Sequence, residues 1–341
     1  MPQQNGAARS LHPSESEARV ILETYMKIDC ILCPTDLSSD SDEALRYAIS
    51  LCRAYGAELL LLYCDTNKTI QGVSSTHDAE ADTLRDALAK YCGSADLDGL
   101  EWKSLVTSCD DAGEAIVREA AIYGVDLIVM RSRRRPYRAA LLGSTAESVS
   151  RTAPCPVLVM HNDDREWKSD TEPVEMKRIL VAYDFSDYSE LALKYALSIA
   201  QEHQAELHLL NVLPPSSVDE TELSWYPIGT ETAYHKAAQR LQRAVPVEAH
   251  LWCQIRHVVS EGQPYREILH YAEKNKIDLI CLGAHGAGFG MKTLFGSNVD
   301  RVLRQASCPV LVTRPLKPAH LQPHEMRRET DLNTVLSRSQ Y

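Results

Sequence analysis

The sequence predicts an α/β protein built from two tandem, doubly wound domains, each an open parallel sheet of about five strands with helices on both faces. Three observations predict this class. The chain has 341 residues, enough for about two domains of ordinary size. A long segment of the sequence is repeated about 150 residues further on. Within each copy, short apolar runs alternate with longer amphipathic segments, the order expected of buried parallel strands joined by crossover helices.

The repeat is visible at both ends of the unit. The segment that starts at Val125 matches the one that starts at Ile277, with one residue missing from the first copy. Upstream, the segment from Asp29 matches the segment from Lys177. We interpret this as the tandem duplication of a domain. The expected division is an N-terminal extension (1–27), a first domain (28–161), a linker (162–176), a second domain (177–315) and a polar C-terminal tail (316–341).

The elements of the second copy follow from its apolar runs. Strands are predicted at residues 179–183, 207–212, 279–282 and 310–312. The first helix is expected to open with Asp187 and Glu190 in capping-box spacing, and Ser39 and Asp42 hold the equivalent places in the first copy. The helix face expected to pack on the sheet is nearly the same in both copies, with Ala192, Tyr195, Ala196 and Ile199 matched by Ala44, Tyr47, Ala48 and Leu51.

Charge and hydropathy exclude several functional classes. There are 36 Lys and Arg residues against 47 Asp and Glu, a formal charge of −11, which argues against general binding of nucleic acids or anionic membranes. The longest wholly apolar run, residues 59–64, is far shorter than the roughly 18 residues of a membrane-spanning helix. The N-terminal residues lack the apolar stretch of a signal peptide. We therefore expect a cytoplasmic protein.

The cysteines and histidines show no pattern of a metal site. Most of the ten cysteines lie in apolar runs, which favours buried, reduced thiols over a disulfide framework. Cys30 and Cys33 have the spacing of a redox or metal pair, but they fall in a predicted strand, where such residues point to opposite faces. The histidines match no zinc or metalloprotease spacing. No metal-ligating residue is predicted.

The segment most suggestive of ligand binding lies in the second copy. Gly283, Gly286 and Gly296 follow a buried strand, and Ser297 opens the next helix. Glycine lets the backbone approach a ligand closely and adopt a positive φ. The free amides at a helix N-terminus attract an anion. A phosphate chain fits this arrangement, with Lys292 as the positive charge within the loop.

Two further residues accompany this loop. Asp184 ends the first strand of the second copy, at the sheet edge where such folds bind ligands. Its carboxylate is suited to a ligand amino or hydroxyl group, although aspartate is also common where a helix begins. The glycine loop favours the ligand interpretation. His285 lies within the loop and is expected to line the pocket, with no role as a catalytic base.

With these residues, the sequence resembles the universal stress protein family, in its tandem two-domain form, over residues 27–316. Gly283, Gly286, Gly296 and Ser297 match the nucleotide signature of that family. The resemblance implies a Rossmann-like fold similar to adenine nucleotide alpha hydrolases, a role in stress response, and ATP as ligand with Mg²⁺ or Mn²⁺ held by its phosphates. It implies adenine contacts from Asp184 and the main chain of Val212, and ribose and phosphate contacts from Gly283, Gly286, Gly296, Ser297 and Asn298.

The first copy departs from the signature. It keeps Asp36, Gly143 and Ser144, but Arg131 and Arg134 stand where the second copy has its first two signature glycines. Because arginine does not allow the same backbone approach, we expect no ATP bound in this manner there. The loop arginines either grip a phosphate or an acidic partner or, in the interpretation we favour, form a solvated basic loop: Arg131, Arg133, Arg134, Arg135 and Arg138.

Three functional hypotheses remain, because the chain lacks a Walker loop, a GxGxxG fingerprint and a nucleophile elbow. The favoured one is a regulatory protein that binds ATP in its second domain and meets a protein partner. The second is a slow ATPase or self-phosphorylating enzyme, with Ser297 as one acceptor, and the third is an interaction scaffold without nucleotide. The resemblance also implies that the last strands, within 155–159 and 308–312, pair inside one chain as a pseudo-dimer, with higher homo-oligomers left open.

Overall fold

The computed structural model describes residues 26–38, 41–65, 99–132, 142–160, 174–215, 228–285 and 296–314. Ten strands form one continuous sheet in this part of the chain. They are β1 (Cys30–Thr35), β2 (Glu58–Asp65), β3 (Trp102–Ser108), β4 (Leu127–Arg131), β5 (Val157–Met160), β6 (Arg178–Ala182), β7 (Glu206–Leu213), β8 (Ile255–Glu261), β9 (Leu279–Gly283) and β10 (Val310–Thr313). Their order across the sheet is β3-β2-β1-β4-β5-β10-β9-β6-β7-β8.

The sheet consists of two parallel halves joined edge to edge. All pairs within each half are parallel, whereas β5 and β10 run antiparallel, with Val159 opposite Val310 and Val157 opposite Val312. The doubly wound class is thereby confirmed, and the pairing expected of the last strands is present within one chain. We call the strands β1–β5 with their helices the first half, and β6–β10 with theirs the second half.

Helices cover both faces of the sheet. The α-helices of the described residues are α1 (Asp42–Tyr55), α2 (Ala112–Ile122), α3 (Ser144–Thr152), α4 (Asp187–His203), α5 (Ile228–Ala244), α6 (Pro264–Lys274) and α7 (Ser297–Gln305). Helices α1, α4 and α5 contribute to one apolar core, and α2, α3, α6 and α7 to the other. Neighbouring residues of a strand alternate between the two cores, as Ile31 and Leu32 do. This explains why the strand sequences are apolar at almost every position.

The faces predicted for the first helix of each copy are buried as expected, but the predicted caps are wrong. Helix α4 is capped by Ser186, whose hydroxyl oxygen accepts from the backbone N–H of Ser189 in a reciprocal capping box. The box therefore begins one residue before Asp187. Helix α1 begins after Ser41, which makes no side-chain capping bond, and Ser39 lies outside the described residues.

Seven of the nine described cysteines are buried, as predicted for most of the thiols, whereas Cys64 and Cys109 are partly exposed. Cys30 and Cys33 of β1 belong to opposite apolar cores, and the nine cysteines of the described chain form no disulfide with one another. Burial raises the pKa of the Cys33 thiol to about 12, so it stays protonated at neutral pH. In the described part of the chain, no helix is both long and apolar enough to cross a membrane.

Candidate functional site

A cavity of about 270 Å³ opens at the carboxyl ends of β6, β7 and β9 in the second half. This is the edge at which open parallel sheets bind ligands. Seven of the residues predicted from the sequence line it: Asp184, Val212, Gly283, His285, Gly296, Ser297 and Asn298. The eighth, Gly286, lies outside the described residues, as does Lys292. Residues from distant parts of the chain thus meet at one cavity because their strands are neighbours in the sheet.

Asp184 lies in a tight turn between β6 and α4. Its Oδ1 atom accepts hydrogen bonds from the backbone N–H of Ser186 at 3.1 Å and from the Ser186 hydroxyl at 2.6 Å. Between them, Phe185 has a left-handed backbone with φ of 65°. Such a conformation costs about 1 kcal/mol or more for a residue other than glycine. The carboxylate therefore shapes the turn at the start of the helix and also lines the cavity.

The turn is supported by the neighbouring strand and by a helix on the same face of the sheet. Asn211 of β7 is buried, and its Nδ2 donates to the carbonyl oxygen of Tyr183 at 2.8 Å. The Phe185 ring meets the Tyr183 ring edge-on at 5.2 Å between centroids, and the guanidinium of Arg240 lies 3.7 Å above the Phe185 ring. Such contacts offset the local backbone strain. Asn211 is a positioning residue that the sequence analysis did not identify.

Gly283 permits a close approach between a strand and a helix. A Cβ atom there would lie 2.5 Å from Cβ of Tyr188 and 2.6 Å from its carbonyl carbon. Because the closest atoms include backbone of α4, a larger residue requires the helix to shift. The sequence analysis assigned this glycine to contact with a ligand, whereas the structure gives it a packing role as well. The expectation of a positive φ is wrong here, since Gly283 is not among the described residues with that conformation.

Gly296 is the N-cap of α7. Its N–H donates to the carbonyl oxygen of Ala284 at 3.1 Å, and its φ of −67° is accessible to any residue. A Cβ atom would meet that carbonyl oxygen at 3.4 Å, an ordinary contact. Ser297 and Asn298 follow it and are exposed. The first amides of a helix have no acceptor within the helix, so the N-terminus of α7 presents donors at the cavity wall.

His285 lies at the wall with a buried ring nitrogen. Its ring meets Tyr188 edge-on at 5.1 Å between centroids, and its Nδ1 atom makes no hydrogen bond. Burial, with a contribution from the positive charge of Arg314, lowers the pKa of His285 below its usual value. The imidazole is therefore neutral at neutral pH and offers one donor and one acceptor.

Apolar side chains form the rest of the wall, and the sequence analysis identified none of them: Ala182, Leu210, Pro264, Ile268, Leu282 and Val299. Tyr183 and Ser189 also line the cavity. Pro264 and Ile268 belong to α6, whose sequence has the ordinary pattern of a helix packed on a sheet. No pattern in the local sequence identifies Pro264 and Ile268 as cavity residues, because their place in the wall depends on how α6 packs against β7 and α7.

The first half has a different arrangement at the same edge. Arg131, the counterpart of Gly283, places its Nη1 atom 3.5 Å from Oε2 of Glu43 on α1, and these side chains are 13% and 11% exposed. The interpretation as a solvated basic loop is therefore wrong for Arg131. The other loop arginines, Arg133, Arg134, Arg135 and Arg138, lie outside the described residues. Gly143 caps α3 just as Gly296 caps α7.

Metal ligation is a separate question, because the sequence analysis assigned the ion to the phosphates. Among the residues that the structure describes, no group of three or more His, Cys, Asp or Glu side chains is arranged to hold a metal ion. Asp184 lines the cavity without a second carboxylate among its lining residues. A divalent ion in this cavity would therefore depend on ligand oxygens for most of its coordination.

The fold and the cavity define a tandem α/β protein with a cavity at the carboxyl edge of its second half. The family model for the universal stress protein family matches residues 27–161 and again 175–314. The chain therefore belongs to the universal stress protein family. The two matches coincide with the two halves of the sheet.

Relatives and solved structures agree with this membership. A universal stress protein of Mycolicibacterium smegmatis is 27% identical over 304 residues, which cover 84% of this chain and 97% of the relative. One from Methanocaldococcus jannaschii is 34% identical over 143 residues, covering 41% of this chain and 84% of the relative. The crystal structure of a universal stress protein from Archaeoglobus fulgidus has a TM-score of 0.60 at 23% identity, covering 86% of this chain and 99% of that one. That likeness concerns the fold alone.

Proposed function

We propose that the protein binds ATP in the cavity of its second half and acts in stress response as a nucleotide-dependent regulatory protein. The observation that carries this proposal is the N-terminus of α7, which opens into the same cavity as Asp184 and the apolar wall. An anion-binding helix end and an apolar slot with one carboxylate match the two ends of a nucleotide.

The base would occupy the apolar part of the cavity. Leu210, Ile268 and Leu282 offer flat contact to an aromatic ring. Asp184 supplies a carboxylate that can accept from an exocyclic amino group, and Val212 supplies main-chain groups at the end of β7. The support for adenine is this pairing of an acceptor with an apolar slot.

The phosphates would lie against α7. Neither the φ of residue 296 nor its packing inside the protein requires glycine. Glycine at this position instead leaves room for the close approach of a ligand. The amides that follow it, the Ser297 hydroxyl and the Asn298 amide are donors for phosphate oxygens. A neutral His285 adds a further donor. Magnesium or manganese would be held by the phosphates and would neutralise part of their charge.

We propose binding, and not turnover, as the activity. The lining side chains with a titratable group are Asp184, Tyr183 and His285. Asp184 already accepts two hydrogen bonds from Ser186, and burial raises the pKa of Tyr183, which keeps its hydroxyl protonated. Burial lowers the pKa of His285, which makes its imidazole a weaker base than an ordinary histidine. The burial of seven of the nine described cysteines also supports a location in the reducing cytoplasm.

A regulatory role is supported by the connection between the cavity and the junction of the two halves. Helix α7 carries Asp300 and Arg304, and Arg304 lies 3.4 Å from Glu147 on α3. Arg151 of α3 lies 3.8 Å from Asp300 in return. A ligand that fixes the N-terminus of α7 therefore acts on a helix with direct contacts across the junction.

The proposal is tested by isothermal titration of the full chain with ATP, ADP and AMP in the presence of magnesium. Gly296→Glu is expected to abolish ATP binding, because it places a carboxylate beside the helix end that would hold the phosphates. The matched control is Gly143→Glu, at the equivalent N-cap of the first half, and it is expected to retain wild-type affinity. Equal affinity of wild type and Gly296→Glu, or equal loss in both variants, would contradict the proposal. Release of γ-phosphate over many turnovers, abolished by Gly296→Glu, would favour an enzyme instead.

A further inference from the structure

A second cavity, of about 550 Å³, lies at the opposite edge of the second half. It is formed at the amino ends of β6, β7 and β8 together with the residues that end α6. Its lining residues are Arg178, Glu206, His208, Arg256, Lys274, Asn275 and Lys276. We call it the amino-edge cavity. Val212, which lines the first cavity, lies six positions after Glu206 along β7, about 20 Å at the rise of a strand, so the two cavities are separate sites.

Positive charge dominates this cavity. Arg178 and Arg256 come from strands, and Lys274 and Lys276 come from the end of α6. Against these four cations stands the carboxylate of Glu206, which is paired with the Arg256 guanidinium. The chain as a whole has a charge of −11, so the local charge of this cavity is opposite in sign to the net charge of the protein.

A buried histidine lies at the base of the cavity. His208 is 1% exposed within β7. Its Nδ1 atom lies 2.9 Å from the Tyr271 hydroxyl, while its Nε2 atom has no hydrogen-bond partner and is 3.5 Å from a Glu206 oxygen. The Tyr271 contact accounts for the Nδ1 atom, whereas a buried Nε2 atom without a hydrogen-bond partner is a cost to the fold.

The first half provides an internal comparison, because it builds the same edge with fewer cations. Lys103 stands in place of Arg256 there and pairs with Glu58, as Arg256 pairs with Glu206. The counterpart of His208 is Leu60, which is buried, and the counterpart of Arg178 is Cys30. After α2, Ile122 and Tyr123 stand in place of Lys274 and Asn275, with 66% and 37% exposure. The duplicated fold therefore keeps a cation on the edge strand in both halves but does not require those at positions 178, 274 and 276.

The backbone of Lys276 is a further departure from what the fold prefers. Lys276 has a left-handed conformation with φ of 51°, whereas its counterpart Gly124 has φ of 58°. Glycine is the residue best suited to this place after a helix. Lys274 suits the negative end of the helix dipole, and the strand arginines also contact the protein itself, Arg178 through the carbonyl oxygen of Asn275 and Arg256 through Glu206. None of these contacts accounts for a lysine in a disfavoured backbone at position 276.

We propose that the amino-edge cavity is a binding site for a small phosphate-bearing polyanion, held by Arg178, Arg256 and the lysines of the α6 terminus. Two guanidinium groups recognise phosphate oxygens in a planar fork, and the two ammonium groups supply further charge. The exposed fraction of Arg256, 61%, leaves its side chain accessible to a ligand. This site is independent of ATP binding at the other edge.

The test is an isothermal calorimetric titration with pyrophosphate, carried out on the full wild-type chain and on the variant Lys274→Gln/Lys276→Gly. Glycine at position 276 fits the local φ, so the variant is expected to fold normally. Loss of two charge-assisted contacts is expected to weaken pyrophosphate binding by about tenfold or more. The control Lys194→Gln/Lys236→Gln removes the same charge from exposed positions on α4 and α5, and is expected to bind as wild type does.

Three results would overturn the proposal. Wild-type affinity in Lys274→Gln/Lys276→Gly would exclude the site, and an equal loss in the control variant would indicate a general effect of charge. The third concerns the other edge of the sheet. Pyrophosphate binding that disappears in Gly296→Glu would locate the anion in the ATP cavity. We expect Gly296→Glu to retain pyrophosphate binding. This expectation does not depend on whether ATP binds in the cavity of the carboxyl edge.

Discussion

In both halves, the first strand ends in the same three-residue turn, at residues 36–38 and 184–186. The aspartate accepts hydrogen bonds from the backbone and hydroxyl of the serine two positions later. The residue between them is left-handed in each case, with φ of 61° at Leu37 and 65° at Phe185. The turn is present in the second half, which has the glycine signature, and in the first half, which lacks it. The aspartate therefore has a structural role in both halves.

The two halves differ beside this turn. In the second half, β9 ends at Gly283, and α4 approaches so closely that a Cβ atom would meet its backbone. In the first half, Arg131 stands there and pairs with Glu43 of α1. One duplicated backbone thus supports a cavity in one half and a largely buried ion pair in the other. Among the described residues, Gly283, and neither the aspartate nor the N-cap glycine, distinguishes the candidate nucleotide site from the first half.

The largest expected effect concerns Gly283. Gly283→Ala is expected to lower the free energy of unfolding by about 3 kcal/mol, because the new methyl group overlaps backbone of α4. Chemical denaturation measures this. The control is Gly296→Ala, whose methyl group meets ordinary contacts and is expected to cost about 0.5 kcal/mol. Equal effects of the two substitutions would show that the strand and helix are not as close as the structure has them.

The second prediction concerns the ion pair of the first half. Arg131→Leu is expected to destabilise the protein by about 2 kcal/mol, since it removes the partner of a Glu43 carboxylate that is mostly buried. The double variant Arg131→Leu/Glu43→Leu is expected to cost less than the sum of the two single substitutions. Thermal and chemical unfolding provide the double-mutant cycle. Strictly additive costs would mean that the two side chains do not interact.

The third prediction uses the different histidine content of the halves. Burial lowers the pKa of four histidines in the second half, His203, His208, His257 and His285, and the described part of the first half contains no histidine. The unfolded chain binds protons at the ordinary histidine pKa of about 6.5, whereas the folded second half binds them only at lower pH. The free energy of unfolding of the second half is therefore at its full value above about pH 6.5 and decreases as the pH falls below that value.

The expected loss for the second half is about 1 kcal/mol in total on going from about pH 7 to pH 5.5, after allowance for solvent screening of the partly exposed rings. Hydrogen exchange, followed separately for peptides of β6–β8 and of β1–β2, measures it. His208→Leu, which introduces the residue of the first half, is expected to reduce the pH dependence. An equal response of both halves would rule out this cause.

The smallest effect is expected at the junction. Arg304 and Arg151 hold equivalent places on α7 and α3, and each contacts carboxylates of both helices. Arg304→Ala is expected to cost about 0.5 kcal/mol, a value typical of partly exposed ion pairs. Arg151→Ala is expected to cost less, because its contact across the junction is longer. Denaturation at low and at high salt checks both, and an effect that does not weaken with salt would contradict an electrostatic origin.

Much of the fold could be predicted because its signals are local or repeated. The apolar runs of β6, β7, β9 and β10 were located to within a residue or two of their observed bounds. One strand of each half, β3 and β8, was not located from the sequence, because both lie at the sheet edges and are only partly buried. Edge strands lack the continuous apolar pattern of central strands.

The candidate site divides in a similar way. The sequence supplied Asp184 and the glycine loop, because each stands next to a strand end and signals a turn or a helix start. It could not supply Asn211, whose contact with Tyr183 depends on strand pairing, or Ile268, whose contact depends on helix packing. It also could not show that Gly283 faces a helix backbone.

The order of residues along the chain was sufficient to determine the duplication, the alternation of strands and helices, and the glycine spacing, because each is a pattern of neighbours in sequence. The tertiary structure decided which side chains share a cavity, how the two half-sheets join through β5 and β10, and which cations lie together in the amino-edge cavity of the second half. Those features arise from contacts between residues far apart in sequence, which are set by the register of parallel strands and the packing of helices on them.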